Sequence, residues 1–305
     1  MCPAAVGAKT EVIEFVDIAG KEIAARLNSH AQDANLTAQD AYAIMHMCPL
    51  DTVAKEAVSP FCALFSGEDF EIYEYAGDLK KFYKTGYVQR SLYDQHVTDR
   101  FFDSYGAPPG AVQGVGYINE LIARLTNSPA HHGLQTNSTL LSSPDTFPLN
   151  RTMYVDFTHD NLMVAVFTAM GLFRQADGPL DPTKIARDRT WVTSRMVPFS
   201  GHMTVERLSC PVHSLRRSSK PASARRWKWV IRHEDQDEDE DEDGEDREEE
   251  KEEYVRVFVN DARQPLHFCG ADGDGMCRLE EFVKSQEYAR NDGFGDFAAC
   301  TYTGR

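Results

Sequence analysis

Residues 152–171 have the sequence TMYVDFTHDNLMVAVFTAMG, in which an apolar, β-branched stretch passes through three polar residues into a second apolar stretch. The first part, Thr152–Phe157, predicts a short buried strand. Thr158–Asp160 predicts a loop, and Asn161–Gly171 predicts a helix that ends at the glycine. A strand that leads directly into a helix is a basic unit of α/β sheets, so this stretch indicates the α/β class.

His159 and Asp160 lie where the predicted strand gives way to the helix. Open α/β sheets bind ligands at the carboxyl ends of their strands, and a helix N-terminus offers free N–H groups to an anion. An imidazole can donate a hydrogen bond to a phosphate, and a carboxylic acid can protonate a departing alkoxide. An Asp N-cap beside a structural His would also explain this dipeptide. Position alone therefore leaves a functional and a structural interpretation open.

The rest of the chain divides into a mainly helical first part, residues 1–130, and an α/β second part, residues 131–305. Apolar spacing and capping signals predict helices over 10–30, from Thr37 to Pro49, from Ser66 to Tyr83 and over 113–126. The second part contains three further predicted strands and one further predicted helix: Trp191–Phe199, His202–Leu208, Tyr254–Asn260 and Leu279–Arg290.

The net charge of −16 is concentrated in one segment. Residues 234–253 contain 16 acidic side chains, directly after a basic block at 211–233 that has none. Such runs predict a disordered charged insertion over 211–253. Because the carboxylates would compete with phosphate backbones for the basic block, no nucleic-acid partner is expected. No run of roughly 18 apolar residues occurs, so no membrane partner is expected either.

Seven cysteines and three N-glycosylation sequons, at Asn35, Asn137 and Asn150, favour a secreted, extracellular protein. The N-terminal sequence MCPAAVGAKTEV shows no signal peptide, and the cysteine number is odd. Together these features lead us to expect a missing upstream segment.

No metal or other cofactor is expected. The cysteines form no C-x-x-C pair of zinc or redox type. Asp272, Asp274 and Glu281 have calcium-loop spacing, but Gly270 occupies the position of the first carboxylate. A small disulfide loop between Cys269 and Cys277 is the better interpretation.

The octet YVDFTHDN at 154–161, followed by AMGLF at 169–173, resembles the signature region of the histidine acid phosphatases, most closely the fungal phytases. Further similar motifs occur in the family's order at 47–54, 59–62, 110–116, 119–126, 146–150, 197–199, 255–261 and 265–269. The resemblance covers most of the chain except roughly 85–104 and 211–253. It implies a phosphoglycerate-mutase-like, three-layer α/β domain with a smaller, mainly helical domain, incomplete at its N-terminus.

The resemblance also implies an activity: metal-free hydrolysis of phosphate monoesters such as myo-inositol hexakisphosphate (phytate) at acidic pH, through a phosphohistidine. Asp160 matches the family's general acid and His159 its phosphate-contacting histidine. Asn161 stands beside them, and Lys81 matches a substrate-binding lysine. The implied disulfides are Cys2–Cys300, Cys48–Cys62 and Cys269–Cys277, which leaves Cys210 without a partner in this chain.

The chain departs from the family in one decisive respect, because the R-H-G-x-R-x-P motif that carries the nucleophile does not occur. His131-His-Gly133 has neither the preceding arginine nor the following Arg-x-Pro. By resemblance, the chain matches roughly the second two-thirds of a phytase.

Three interpretations therefore remain open. The chain belongs to an incomplete phosphatase, or it is an inactive relative that binds phosphorylated ligands. In the third, 85–104 and 211–253 are absent from the native protein. Substrate preference, the inositol position attacked and the oligomeric state are not indicated by the sequence.

Overall fold

The computed structural model describes residues 9–31, 33–83, 108–131, 133, 137–175, 178–211, 251–271 and 275–300. The α-helices are Lys9–Ala19 (α1), Lys21–His30 (α2), Ala38–Met45 (α3), Met47–Lys55 (α4), Gly67–Lys81 (α5), Pro108–Thr126 (α6), Ser138–Leu141 (α7), Asp160–Met170 (α8), Thr193–Met196 (α9), Leu279–Ser285 (α10) and Glu287–Arg290 (α11). The strands are Met203–Pro211 (β1), Lys251–Val259 (β2), Ala262–Arg263 (β3) and Cys277–Arg278 (β4). Pro60–Leu64, His267–Cys269 and Asp292–Cys300 form 3₁₀ helices. None of the helices in these ranges is long and apolar enough to cross a membrane.

Capping residues set the starts of two of the predicted helices. Thr37 and Asp40 form a reciprocal capping box at α3, and Ser66 with Asp69 does the same at α5. The predicted stop at Pro49 is wrong: α3 ends at Met45, and α4 contains Pro49 in its first turn. A proline is tolerated there because the first N–H groups of a helix have no intrahelical acceptor.

The core is centred on the packing of α6 against α8. Every residue of α8 from Val164 to Met170 is buried, and α6 contributes buried Val115 and Ile118. The two backbones approach closely at Gly114, where a Cβ would lie 2.7 Å from the carbonyl carbon of Ala165. This position therefore requires glycine for steric reasons.

The sheet is antiparallel and centred on β2. β1 pairs with β2 along its length, from Met203 opposite Val259 to Pro211 opposite Lys251. β3 and β4 each make a short antiparallel pairing with β2. Valines 255, 257 and 259 of β2 point into the core.

The strands predicted at His202–Leu208 and Tyr254–Asn260 are confirmed in position, with somewhat different ends. Pro211 and residues 251–253, assigned above to the charged insertion, belong to β1 and β2. Residues 212–250 lie outside the described part of the chain, as do 84–107. The predicted helix Leu279–Arg290 is present as α10 and α11, separated at Gln286.

Two predicted strands are wrong. Thr152–Phe157 forms no regular element, and Phe157 at its end is 95% exposed. No strand in the described residues pairs with it, so its apolar pattern alone does not form a ladder. Trp191–Phe199 contains the short helix α9, because the amide of Thr193 donates to the buried carboxylate of Asp78 on α5 instead of to another strand.

A buried ion pair fixes α5 to the segment that precedes α9. Arg189 Nε donates to the fully buried Asp78 at 2.7 Å, and the Arg189 guanidinium also reaches Glu74 at 3.2 Å. Burial raises the pKa of Asp78, while the Thr193 amide and the charge of Arg189 oppose that rise. The tyrosines Tyr75 and Tyr83 add hydrogen bonds to the carbonyls of Asp181 and Leu180. These contacts position the C-terminal end of α5, where Lys81 lies.

We expect Gly114→Ala to destabilise the protein by about 1–3 kcal/mol, because its methyl group would collide with the backbone of α8. Gly77→Ala on α5 is the matched control, since a Cβ there meets no atom within 4 Å. That control should stabilise the protein by about 0.5–1 kcal/mol through helix propensity. Urea unfolding followed by circular dichroism measures both changes. Equal effects of the two substitutions would contradict the close packing of α6 on α8.

Candidate active site

The structure brings together three of the four residues that the sequence analysis singled out for the site. The Lys81 ammonium, at the end of α5, contacts the carboxylate of Asp160 and the side-chain oxygen of Asn161. Asp160 and Asn161 are the first two residues of α8, and 79 positions separate Lys81 from Asp160. This charge-assisted contact brings the end of α5 and the start of α8, which are far apart in the sequence, into one candidate site.

His159 occupies the N-cap position of α8 with an extended backbone, φ −106° and ψ 159°. Its carbonyl accepts hydrogen bonds from the amides of Leu162 and Met163, but its side chain does not cap the helix. The imidazole is exposed beside Asp160. The helix N-terminus therefore presents an imidazole, a carboxylate and an amide side chain in consecutive positions.

The hydrogen bond from Lys81 is the main factor that lowers the pKa of Asp160 below its ordinary value. Partial burial opposes this effect, whereas the charge of Lys81, the backbone N–H of Asn161 and the nearby His159 support it. Asp160 side-chain atoms are 53% exposed, so solvent screens these interactions. These contacts consequently favour the ionised form of the Asp160 carboxyl group.

Arg124 is the residue next to this site that the sequence analysis missed. It lies near the end of α6, and its guanidinium donates to Asp156, four positions before Asp160, at 2.6 Å. The motif at 119–126 was recognised, but Arg124 received no role within it. Two features of the sequence could have indicated this pair: Arg124 stands among apolar residues of a predicted helix, and Asp156 stands within an apolar stretch.

Two of the predicted disulfides are confirmed. Cys48–Cys62 and Cys269–Cys277 are bonded, with Cα–Cα distances of 4.6 and 6.0 Å. Cys210, on β1, is not disulfide-bonded. The predicted Cys2–Cys300 pair falls on side chains outside the described part of the structure and stays a prediction.

The other predicted site features do not converge on Asp160. Asn35, Asn137 and Asn150 are exposed and lie in three separate loops or helix starts. Among the residues that the structure describes, no group of His, Cys, Asp or Glu side chains is arranged to hold a metal ion. Residues 272–274 of the calcium-like loop are outside those residues.

Residues 6–260 match the family model of the histidine phosphatase superfamily (branch 2). The chain is 35% identical over 286 residues to phytase A of Aspergillus fumigatus and 37% identical over 278 residues to phytase A of Arthroderma benhamiae. These alignments cover 92% and 89% of this chain but 50% and 49% of the relatives. The chain thus spans about half the length of the curated relatives it matches, not the two-thirds expected from the motifs.

The crystal structure of a phytase from D. castellii has a similar fold, with a TM-score of 0.58 at 16% sequence identity. The match covers 96% of this chain and 47% of that one. With the family match, it confirms the predicted α/β histidine phosphatase fold.

We expect Lys81→Met to raise the pKa of Asp160 toward its ordinary value, because the strongest interaction with the ionised carboxylate is lost. The matched control is Lys80→Met, which removes an exposed ammonium from the adjacent position. NMR titration of ¹³C-labelled aspartate side chains, with the signal assigned through Asp160→Asn, measures the pKa. The contact is refuted if both variants titrate like the parent chain.

Proposed function

Since the chain belongs to the histidine phosphatase superfamily (branch 2), we propose that it forms the acid-bearing part of a phytase-type acid phosphomonoesterase. The observation that carries this proposal is the placement of Asp160 at the N-terminus of α8, in contact with Lys81. The proposed substrate class is phosphate monoesters of polyols, with phytate as the first candidate because the relatives are named phytases.

In the proposed reaction, Lys81, Asn161 and His159 hold the oxygens of the phosphate that is transferred. Their positive or hydrogen-bond-donating groups, with the N-terminus of α8, offset the charge of the phosphoryl group. The bond between phosphorus and the ester oxygen breaks, and the leaving oxygen takes a proton from the carboxyl group of Asp160. Phosphorus forms its new bond to a histidine, and water then hydrolyses this phosphohistidine.

The nucleophile of that step is not supplied by an R-H-G-x-R-x-P motif in the 305 residues, because none occurs. We assign it to the part of the family's fold that this chain does not cover. The chain's own contribution is therefore binding of the phosphate and delivery of the proton.

The Lys81 contact suggests how the acid becomes protonated only with substrate present. In the empty site Lys81 lowers the pKa of Asp160, so the carboxyl group is ionised. A bound phosphate competes for the ammonium and adds negative charge beside the carboxylate, and both effects raise the pKa of Asp160. Activity would then be confined to acidic pH, where the carboxyl group in the complex still carries its proton.

The second candidate is a protein that binds phosphorylated ligands without hydrolysing them. Such binding needs Lys81, Asn161 and His159 but no covalent acceptor, and the Lys81–Asn161 contact supports it as much as it supports hydrolysis. The two candidates make opposite predictions for phosphate release by the native polypeptide.

The decisive test uses the native polypeptide that contains these residues, with its sequence mapped by mass spectrometry. We expect it to release phosphate from phytate at about pH 5, where a substrate-bound aspartic acid retains a proton. Asp160→Asn should lower the rate about 100-fold or more, the usual contribution of a general acid. Asp33→Asn, at an exposed carboxylate outside the site, is the control and should leave the rate unchanged. Phytate binding without release would support the second candidate, and neither binding nor release would overturn both.

We further propose that the protein is secreted and carries glycans at its three sequons. The exposure of Asn35, Asn137 and Asn150 and the two disulfides support this proposal. Expressed through a eukaryotic secretory pathway, the protein should lose mass on digestion with peptide-N-glycosidase F. Each Asn→Gln substitution should remove one glycan, with Asn28→Gln, which is not in a sequon, as the control. A secreted protein with no glycan at any of the three positions would contradict the proposal.

A further inference from the structure

The Arg124 guanidinium lies at the centre of a small cluster beside the candidate site. Its two terminal nitrogens reach Asp156 at 2.6 Å and Glu120 at 3.5 Å. Its central carbon lies 5.0 Å from the ring centroid of Tyr154 and 5.2 Å from that of Phe147. The arginine side chain is only 14% exposed, so these interactions are partly shielded from solvent.

The segment that Arg124 contacts has little other support. Met153, Val155 and Phe157 are 75%, 60% and 95% exposed, while the intervening Tyr154 and Asp156 turn toward Arg124. This alternation is that of an extended chain with one face held and the other bare. Within the described residues, every hydrogen bond or ion pair from 152–158 to another element ends on Arg124.

Helix α6 therefore contacts both residues 152–158, the segment that precedes His159, and helix α8, which begins at Asp160. Arg124 on α6 binds Asp156 in residues 152–158, and Gly114 on α6 packs closely against α8. The irregular residues 157–159 connect these two anchored parts, and Asp160 follows them in contact with Lys81. A shift of residues 152–158 would move the start of α8. It would therefore change the contact between Lys81 and Asp160 that lowers the pKa of Asp160.

The cluster is suited to arginine because a planar guanidinium can meet two carboxylates and an aromatic face simultaneously. Burial raises the pKa of the neighbouring Glu120, the charge of Arg124 lowers it, and Asp156 raises it further. Burial also raises the pKa of Tyr117, which interacts electrostatically with Asp156, Arg124 and Glu120. A lysine at position 124 would keep the charge without the planar contacts.

We propose that Arg124 is a positioning residue: it holds the segment before His159 so that the Asp160 carboxylate faces Lys81. The proposal rests on the proposed function only for the role of Asp160 as an acid. The geometry that it explains, one arginine fixing the approach to α8, is independent of turnover.

The test is the NMR titration of Asp160 in Arg124→Gln, Arg124→Lys and Asp156→Asn. If positioning is correct, the pKa of Asp160 rises toward its ordinary value in Arg124→Gln and Asp156→Asn. Arg124→Lys should show a smaller rise, because part of the ion pair is restored. The control is Arg26→Gln, which removes another arginine–aspartate pair, Arg26–Asp69, at 2.5 Å, and should leave Asp160 unchanged.

Asp156→Asn separates positioning from a simple charge effect. Removing a negative charge near Asp160 would by itself lower the pKa of Asp160, whereas loss of the Lys81 contact raises it. A rise in Asp156→Asn therefore supports the proposal, and a fall or no change overturns it. Asp156 is about half exposed, so this variant decides the matter even if Arg124→Gln fails to fold.

The same titration distinguishes this proposal from the proposed function. It needs no catalysis, so a chain that releases no phosphate can still show the rise. Conversely, an active protein in which Asp160 titrates as in the parent chain in all three variants would refute the positioning role and leave the phosphatase proposal intact.

Discussion

The close contact between α6 and α8 is the constraint on which the rest of the structure depends. Because no side chain fits between Gly114 and the backbone at Ala165, the two helices meet along buried surfaces on both. The consequence is that the polar end of α8 emerges at a defined place, with His159, Asp160 and Asn161 in successive positions. The apolar length of α8 supplies the packing energy, and its exposed first turn carries the candidate site residues.

Charge in this protein is arranged in two different ways. Arg189 and Asp78 are buried together, and their pairing fixes a helix to a loop, where loss of one partner would leave an uncompensated charge. Lys81 and Asp160 are paired where the carboxylate is about half exposed, so solvent screens their interaction. The buried pair thus stabilises the packing of α5 on the loop, whereas the more exposed pair connects the end of α5 to the first turn of α8.

Local signals in the sequence were sufficient where local physics controls the structure. The capping boxes at Thr37 and Ser66 and the alternating residues of β1 and β2 were predictable, because caps and ladders are formed by the residues that carry the pattern. The strand predicted at 191–199 failed because Asp78, more than a hundred residues away, takes the amide of Thr193. Arg124 was missed for the same reason: its partners at 147, 154 and 156 become neighbours only after folding. Asp160 was singled out as the candidate acid through the family resemblance of its octet, which local periodicity does not provide, and its role stays a prediction.

The exposed apolar face formed by Met153, Val155 and Phe157 also affects the tendency of the chain to self-associate. Apolar side chains at every second residue of an extended segment form an exposed patch, and uncovered apolar patches promote association. The same exposed face, which leaves residues 152–158 held mainly by Arg124, therefore favours aggregation when this chain is concentrated by itself. The behaviour of the chain at high concentration is therefore set by whether another surface covers those three side chains.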